Sequence, residues 1–252
     1  MKTIVLEQYL QTLLSPDTIK DYCPNGLQVQ GGDEIKKIVT GVTASQTLID
    51  HAIEEKADAL LVHHGIFWQN DSYVIRGMKY NRIKALLDNK LNLFAYHLPL
   101  DAHLQLGNNV QLGELLSIKN IRAIEGVKPD GILMSGELEN GVSGQQFSKN
   151  ISSNLQRQCL HIPPPSNKRI QTVAWCTGGG QNYIEKAAEQ GIDAFISGEA
   201  SEKTTHIAQE MNIHFFAAGH HATERYGIKA LGEHLQAEFD LTVKFIDIDN
   251  PV

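Results

Sequence analysis

Three short stretches of this chain collect the side chains that hold transition metals: Val62-His63-His64-Gly65, His97-Leu98-Pro99-Leu100-Asp101 and Gly219-His220-His221-Ala222-Thr223-Glu224. Each follows an apolar run of strand character, so each is expected where a strand ends. Imidazole nitrogen mixed with carboxylate oxygen is the donor set of a site that activates water. Adjacent residues of a regular strand face opposite ways, but past the strand end that rule relaxes, and His63 and His64 can each serve one metal of a pair. His220 and Glu224 are four apart; if a helix begins there, one face carries both and they grip the same ion. His97 and Asp101 share that spacing, but Pro99 is expected to interrupt any helix between them, so Asp101 is read as approaching from a loop. Glu224, the longer carboxylate, is the expected bridge between two cations. Such a set suits Zn, Mn or Fe better than Ca or Mg, which prefer oxygen alone.

Other residues near these clusters invite weaker readings. His97 and His103 are candidate donors that orient Asp101. Glu199, in Ser197-Gly198-Glu199, is a candidate acid or base at the cleft, or a polar loop residue. Gly179, within Gly178-Gly179-Gly180, follows a strand and precedes a helix, where a phosphate can dock, although the spacing matches neither a dinucleotide fingerprint nor a Walker loop. Arg76 and Lys79 could steer a nucleotide phosphate or serve as surface charge. His51, His161 and His234 read as surface or hydrogen-bonding residues.

The elements that must position these groups come from a repeat. Residues 37–65 lie over residues 172–200 without a gap, each with an apolar strand, a small-residue turn, a helix starting near Gln46 or Gln181, and a second strand. Asp58 falls on Asp193, Ala59 on Ala194, Ile49 on Ile184, and Glu199 on His64. Each copy continues alike: a helix over 81–88 and a strand over 91–96 after the first, a helix over 201–210 and a strand over 214–218 after the second. Ile228, Leu231, Leu235 and Phe239 recur at helical spacing, and a last strand is expected over 241–248. Thr3 to Leu14 reads as a helix. The glycine-rich stretch 126–169 reads as loops with a helix near 144–155. Alternating strands and helices predict an α/β fold: two related lobes from an internal duplication, mainly parallel sheets flanked by helices, with the metal site in the cleft between them. The expected division is 1–125, with His63, His64 and Asp101, and 126–252, with His220 and Glu224.

Composition narrows the function classes. The chain has 252 residues and a formal net charge of −7, which disfavours a nucleic-acid clamp without excluding a small anionic ligand. No stretch approaches the roughly 20 apolar residues of a membrane span, and the N-terminus lacks the apolar core of a secretory signal. Cys23, Cys159 and Cys176 form no CxxC pair and read as reduced thiols of a cytoplasmic protein.

Together with Asn25-Gly26-Leu27-Gln28-Val29, these clusters resemble the Ngg-interacting-factor-three-like family, whose members carry the name GTP cyclohydrolase type 2 homologues, and in particular its short bacterial branch. The resemblance covers essentially the whole chain. It implies two α/β lobes with a dinuclear metal site between them, ligands His63, His64, Asp101, His220 and Glu224, and a homohexameric ring with the sites facing an inner cavity. Three functions then compete. One is a hydrolase dependent on two divalent ions that acts on a nucleotide-like small molecule. The second is a metal-binding regulatory protein that works through partners. The third is a DNA-handling ring, which the acidic chain disfavours.

Overall fold

The structure is a computed structural model describing residues 1–252. In chain order the elements are α1 (Thr3–Leu14), β1 (Gly26–Val29), β2 (Lys37–Thr43), α2 (Gln46–Glu54), β3 (Ala59–His64), α3 (Gly77–Asp88), β4 (Asn92–Ala95), α4 (Leu98–Asp101), α5 (Asn108–Leu115), β5 (Lys119–Ala123) and β6 (Met134–Val142). There follow α6 (Gly144–Leu155), β7 (Leu160–Ile162), β8 (Ile170–Cys176), α7 (Ile184–Glu189), β9 (Ala194–Ser197), α8 (Glu202–Glu210), β10 (His214–Ala217), α9 (His220–Thr223), α10 (Arg225–Glu238) and β11 (Thr242–Phe245). No helix is long and apolar enough to cross a membrane.

Contacts divide the chain into two compact units, residues 1–100 with 227–249, and residues 101–226 with 250–252. The sequence division at 125/126 follows chain order, and these units do not. In the first unit the sheet order is β1-β4-β3-β2-β11. Strands β11, β2, β3 and β4 are parallel, and β1 is antiparallel on the edge. In β3 the run Ala59 to His63 is buried on both faces, which is why it is almost continuously apolar. Ser45 starts α2 by accepting a hydrogen bond from the Leu48 amide (3.2 Å), and that helix lays Leu48, Ile49 and Ala52 on the sheet. Burying a leucine or isoleucine side chain in this way stabilises by about 1.5–3 kcal/mol. The apolar stripe of α10 at Ile228, Leu231 and Leu235 is buried within this unit, with Gly232 close against Thr40 and Val243.

In the second unit the order is β5-β6-β8-β9-β10-β7. Only β8, β9 and β10 run parallel; β5, β6 and β7 join antiparallel. The expectation of mainly parallel sheets is therefore corrected to two mixed sheets flanked by helices. The cause lies in the glycine-rich stretch 126–169, which supplies β6 and β7 as well as the expected helix α6. That helix opens with a capping box between Ser143 and Gln146. Trp175 centres the core, fully buried, with its indole N–H donating to the Asn109 carbonyl at 2.7 Å.

The aligned segments occupy matching places. In each unit a helix and an antiparallel edge strand (α1-β1, α6-β7) precede three parallel strands, and that edge strand pairs with the third of them. Asp58 accepts hydrogen bonds from the amides of Lys36 and Lys37 at 2.8 and 2.9 Å, and Asp193 from those of Gln171 and Thr172 at 3.0 Å. One aspartate thus pins the start of the first parallel strand in each unit.

Candidate metal centre

In the first unit β3 delivers His63 and His64 at its C-terminal end. His63 is fully buried, and its Nδ1–H donates to the Tyr96 carbonyl at 2.9 Å. A carbonyl only accepts, so the proton sits on Nδ1 and Nε2 carries the lone pair. His64 is half-buried, with Nδ1 3.1 Å from Oγ1 of Thr43, its partner across the β2–β3 ladder. The two rings lie 4.5 Å apart between centroids, so the end of the strand brings them together where strict alternation would part them. His97 follows β4, and its Nδ1–H donates to Asp21 at 2.9 Å. Asp21 also accepts from the Leu98 amide and the Asn25 side chain, both at 3.0 Å. Burial opposes charge on Asp21, but the bond and positive charge offered by His97, with these further donors, hold its carboxyl down at about 2. One ligand nitrogen from each of His63, His64 and His97 lies within 4.8 Å of the others.

In the second unit Asp101 is the last residue of α4 rather than a loop residue. Pro99 is tolerated because the amide it lacks, at the second position of the turn, would have no intrahelical partner anyway. Asp101 is 5% exposed, and its Oδ1 accepts from Asn108 Nδ2 (2.9 Å) and Thr177 Oγ1 (3.3 Å). Glu224, 2% exposed, immediately follows the single turn α9. His220 opens that turn; its Nδ1–H donates to Glu199 Oε1 at 2.6 Å, and its Nε2 lies 3.2 Å from Glu224 Oε2. Burial works to lower the His220 pKa, but Glu224 and then Glu199 outweigh it and lift it to about 9. A ligand oxygen of Asp101 lies within 4.8 Å of one of Glu224. Cys176 is held well above the usual thiol range, first by burial and then by the charges of Asp101 and Glu224, so it remains a thiol.

Gly178 has φ +60°, and a Cβ there would stand inside contact distance of Glu224 Oε1 and 3.0 Å from His220 Nε2. This one glycine is required by the close approach of both side chains. Gly179 is exposed beside the ring of His220 and the carboxylate of Glu199. Arg76 is exposed just before α3, whereas Lys79 is largely covered. His103 accepts from the amides of Gln105 and Leu106, closing its own turn. Sequence reasoning missed Asp21, Thr43, Asn108 and Thr177, which hold the chemistry-bearing groups from distant parts of the chain.

The donors of each unit fit a divalent transition metal. Imidazoles with Nδ1 committed to an oxygen, and buried carboxylates close to one another, are what such ions bind. The Duf34/NIF3 (NGG1p interacting factor 3) family matches residues 1–251. The chain belongs to this family. Among Duf34/NIF3 relatives, a Vibrio cholerae protein named GTP cyclohydrolase 1 type 2 homolog is 58% identical over 253 residues, with 100% of both chains covered. An Escherichia coli K12 protein of the same name is 53% identical over 251 residues, again covering both chains fully. The solved structure of protein ybgI superposes with a TM-score of 0.93 at 52% identity, and that of TTHA1606 from Thermus thermophilus with 0.91 at 30%, each over 100% of both chains.

Proposed function

We propose that this chain is a hydrolase dependent on two divalent metal ions, acting on a nucleotide-like substrate. Its ligands are His63, His64, Asp101, His220 and Glu224, in a cleft between two lobes of common origin. The observation that carries this reading is one device used repeatedly. His63 and His220 each give Nδ1–H to an oxygen acceptor, which fixes the ring and makes Nε2 the metal-binding nitrogen. Common origin is supported by Asp58 and Asp193, which align in sequence and pin equivalent strands. The name carried by the Vibrio cholerae and Escherichia coli relatives supports a purine nucleotide as substrate.

When bound, a pair of Zn, Mn or Fe ions supplies Lewis acidity, lowering the pKa of water and steadying negative charge as it develops. The protein's own groups do the rest. Glu199 orients His220 and strengthens its ring as a donor. Thr43 sets the ring of His64. Asp21 holds His97 by Nδ1 and so fixes its ring beside those of His63 and His64. Glu224, with two oxygens, would hold both ions. A homohexameric ring belongs to the same proposal, and the exposed run Tyr73, Val74, Ile75 and Met78 supports an association surface that native mass measurement would test.

Elemental analysis of the purified chain and of His64→Ala and Glu224→Ala, together with a nucleotide panel, tests the reading. About two transition-metal ions per chain are expected in the parent, a clear deficit in both variants, and a product that appears only with metal. Full metal content in both variants, or no metal-dependent product from any nucleotide, would overturn it.

A further inference from the structure

The loop that leaves β3 after His64 does not lie idle. Its Ile66 amide donates to the Gln28 side chain at 2.9 Å, and its Gln69 amide to the Tyr22 carbonyl at 2.8 Å, so it is pinned against the turn that carries Asp21. Between loop and turn is a cavity of about 560 Å³, lined by Tyr22, Phe67, Trp68, Gln69, Asp71 and Lys79 among others. That volume suits a nucleoside-sized guest. Trp68 forms its inner wall and connects it to the histidines, lying 5.8 Å from the His64 ring and 5.3 Å from the His97 ring between centroids.

We propose that this cavity binds the planar base of a free purine nucleoside or nucleotide, stacked on Trp68, with Asp71 selecting a guanine-type edge. The inference rests on the hydrolase reading above and names where its substrate's ring would lie. Tyr22 faces Trp68 with centroids 6.4 Å apart and planes 27° from parallel. A flat ring clamped between two others needs about 7 Å, twice a carbon contact distance. The pair falls short of that by less than an ångström, and Tyr22 is 51% exposed and able to yield. The indole face is the strongest of the aromatic platforms for such stacking. At the rim, the Asp71 carboxylate can accept two N–H groups side by side, as a guanine edge presents them, while an adenine edge does not. Lys79 is 3.7 Å from Asp71, donates to the Ser72 carbonyl at 3.2 Å and lies 4.9 Å above the Phe67 ring, so it holds the Asp71 carboxylate in place. Lys79, rather than the exposed Arg76, is thus the residue of that segment built into the cavity.

The chain has two tryptophans, and Trp175 is fully buried in the other unit, so a base stacking on Trp68 can be read by fluorescence. Guanosine, inosine, adenosine, ribose 5-phosphate and a guanine-containing single-stranded oligonucleotide would be titrated into the metal-loaded chain, with calorimetry for variants lacking the reporter. Saturable quenching by guanosine is expected, with weaker binding of inosine and adenosine and none of ribose 5-phosphate. Trp68→Leu should lose about tenfold or more in affinity, Trp68→Phe should stay within about threefold, and Asp71→Asn should erase the preference for guanosine. No saturable nucleoside binding, parent-like binding by Trp68→Leu, or tighter binding of the oligonucleotide than of guanosine would overturn the proposal. Metal content is measured on the same samples. A chain that holds its metals but ignores guanosine refutes the cavity alone, and one that binds guanosine through Trp68 without metals refutes the hydrolase reading alone.

Discussion

Replacing Gly178 by alanine should damage the fold and the metal centre together. At φ +60° an alanine costs about 1–2 kcal/mol from the clash of Cβ with its own backbone. Relaxation is blocked on both sides: the Gly178 amide donates to Thr223 Oγ1 at 3.0 Å, and its carbonyl accepts from the Gly198 amide at 2.8 Å and the Ser197 hydroxyl at 3.1 Å. The added methyl must therefore displace the Glu224 carboxylate. The total is about 2–3 kcal/mol, the range of a locally strained backbone site. For a chain of this size that is a fall in Tm of about 4–12 °C. With Glu224 a ligand, as proposed above, moving its carboxylate should also weaken metal binding about tenfold to hundredfold. Gly179→Ala is the control, since its Cβ meets nothing nearer than 3.9 Å and its φ is not positive. Thermal unfolding of the metal-free proteins and chelator competition for Zn measure the two effects. Parent-like values for Gly178→Ala, or equal losses at Gly179, would refute the claim that this glycine exists to admit Glu224 and His220.

Three other outcomes are expected. Glu199→Gln keeps a hydrogen-bond acceptor for His220 but removes its charge, so Zn affinity should fall about tenfold or more with little change in Tm; an unchanged affinity in the chelator assay would deny Glu199 its orienting role. Asn92→Leu removes a buried amide that donates to the carbonyls of Gly32 and Asp58 and accepts from the Gly31 amide; the two carbonyls keep the Thr3 hydroxyl and the main-chain amide of residue 92 as donors, so the Gly31 amide alone is stranded and about 1–3 kcal/mol of stability should be lost, read as a shift of the urea midpoint. Acid should weaken the second unit through His161, whose Nε2 lies 3.0 Å from His214 Nδ1. Burial, and then His214, lower the His161 pKa to about 4. The unfolded chain takes up that proton near pH 6.5 and the native chain does not, so this contribution is complete above pH 6.5 and is lost as pH falls towards 4. Allowing for the partial exposure of His161, about 1–2 kcal/mol is at stake, and His161→Phe should flatten the dependence of the urea midpoint between pH 7 and pH 4.5.

What the sequence reveals and what it hides follow from the range of each interaction. Apolar runs such as Ala59 to Val62 and helical stripes such as Ile228, Leu231 and Leu235 act locally, and they are found where their periodicity puts them. The limits of α6 match the expected 144–155 because Ser143 and Gln146 form a capping box within four residues. The pairs that orient the site have no local signature. Asp21 reaches His97, and Thr177 reaches Asp101, each across 76 positions. Strand β6 is hidden for a different reason: Gly136 reads as a breaker, yet a side chain there would strike Ile118 and the Lys119 carbonyl, so pairing with β5 demands it.

The aligned segments 37–65 and 172–200 carry the same groups at some positions and different ones at others. Asp58 and Asp193 keep one structural task because each strand start needs its amides satisfied. Further along, the position of His64 in the first copy is that of Glu199 in the second. One is a ring beside Thr43, the other a carboxylate that grips His220. The first unit consequently offers neutral nitrogen donors at the end of β3, while the second offers buried carboxylates with one imidazole. Two carboxylates a few ångströms apart and almost wholly buried are costly unless positive charge accompanies them. A proton on His220, whose pKa is lifted to about 9, answers that need in part. Dications answer it fully. On the ligand set proposed above, the first unit would contribute nitrogen and the second buried acid, a mixture that suits nitrogen-tolerant transition metals rather than calcium or magnesium.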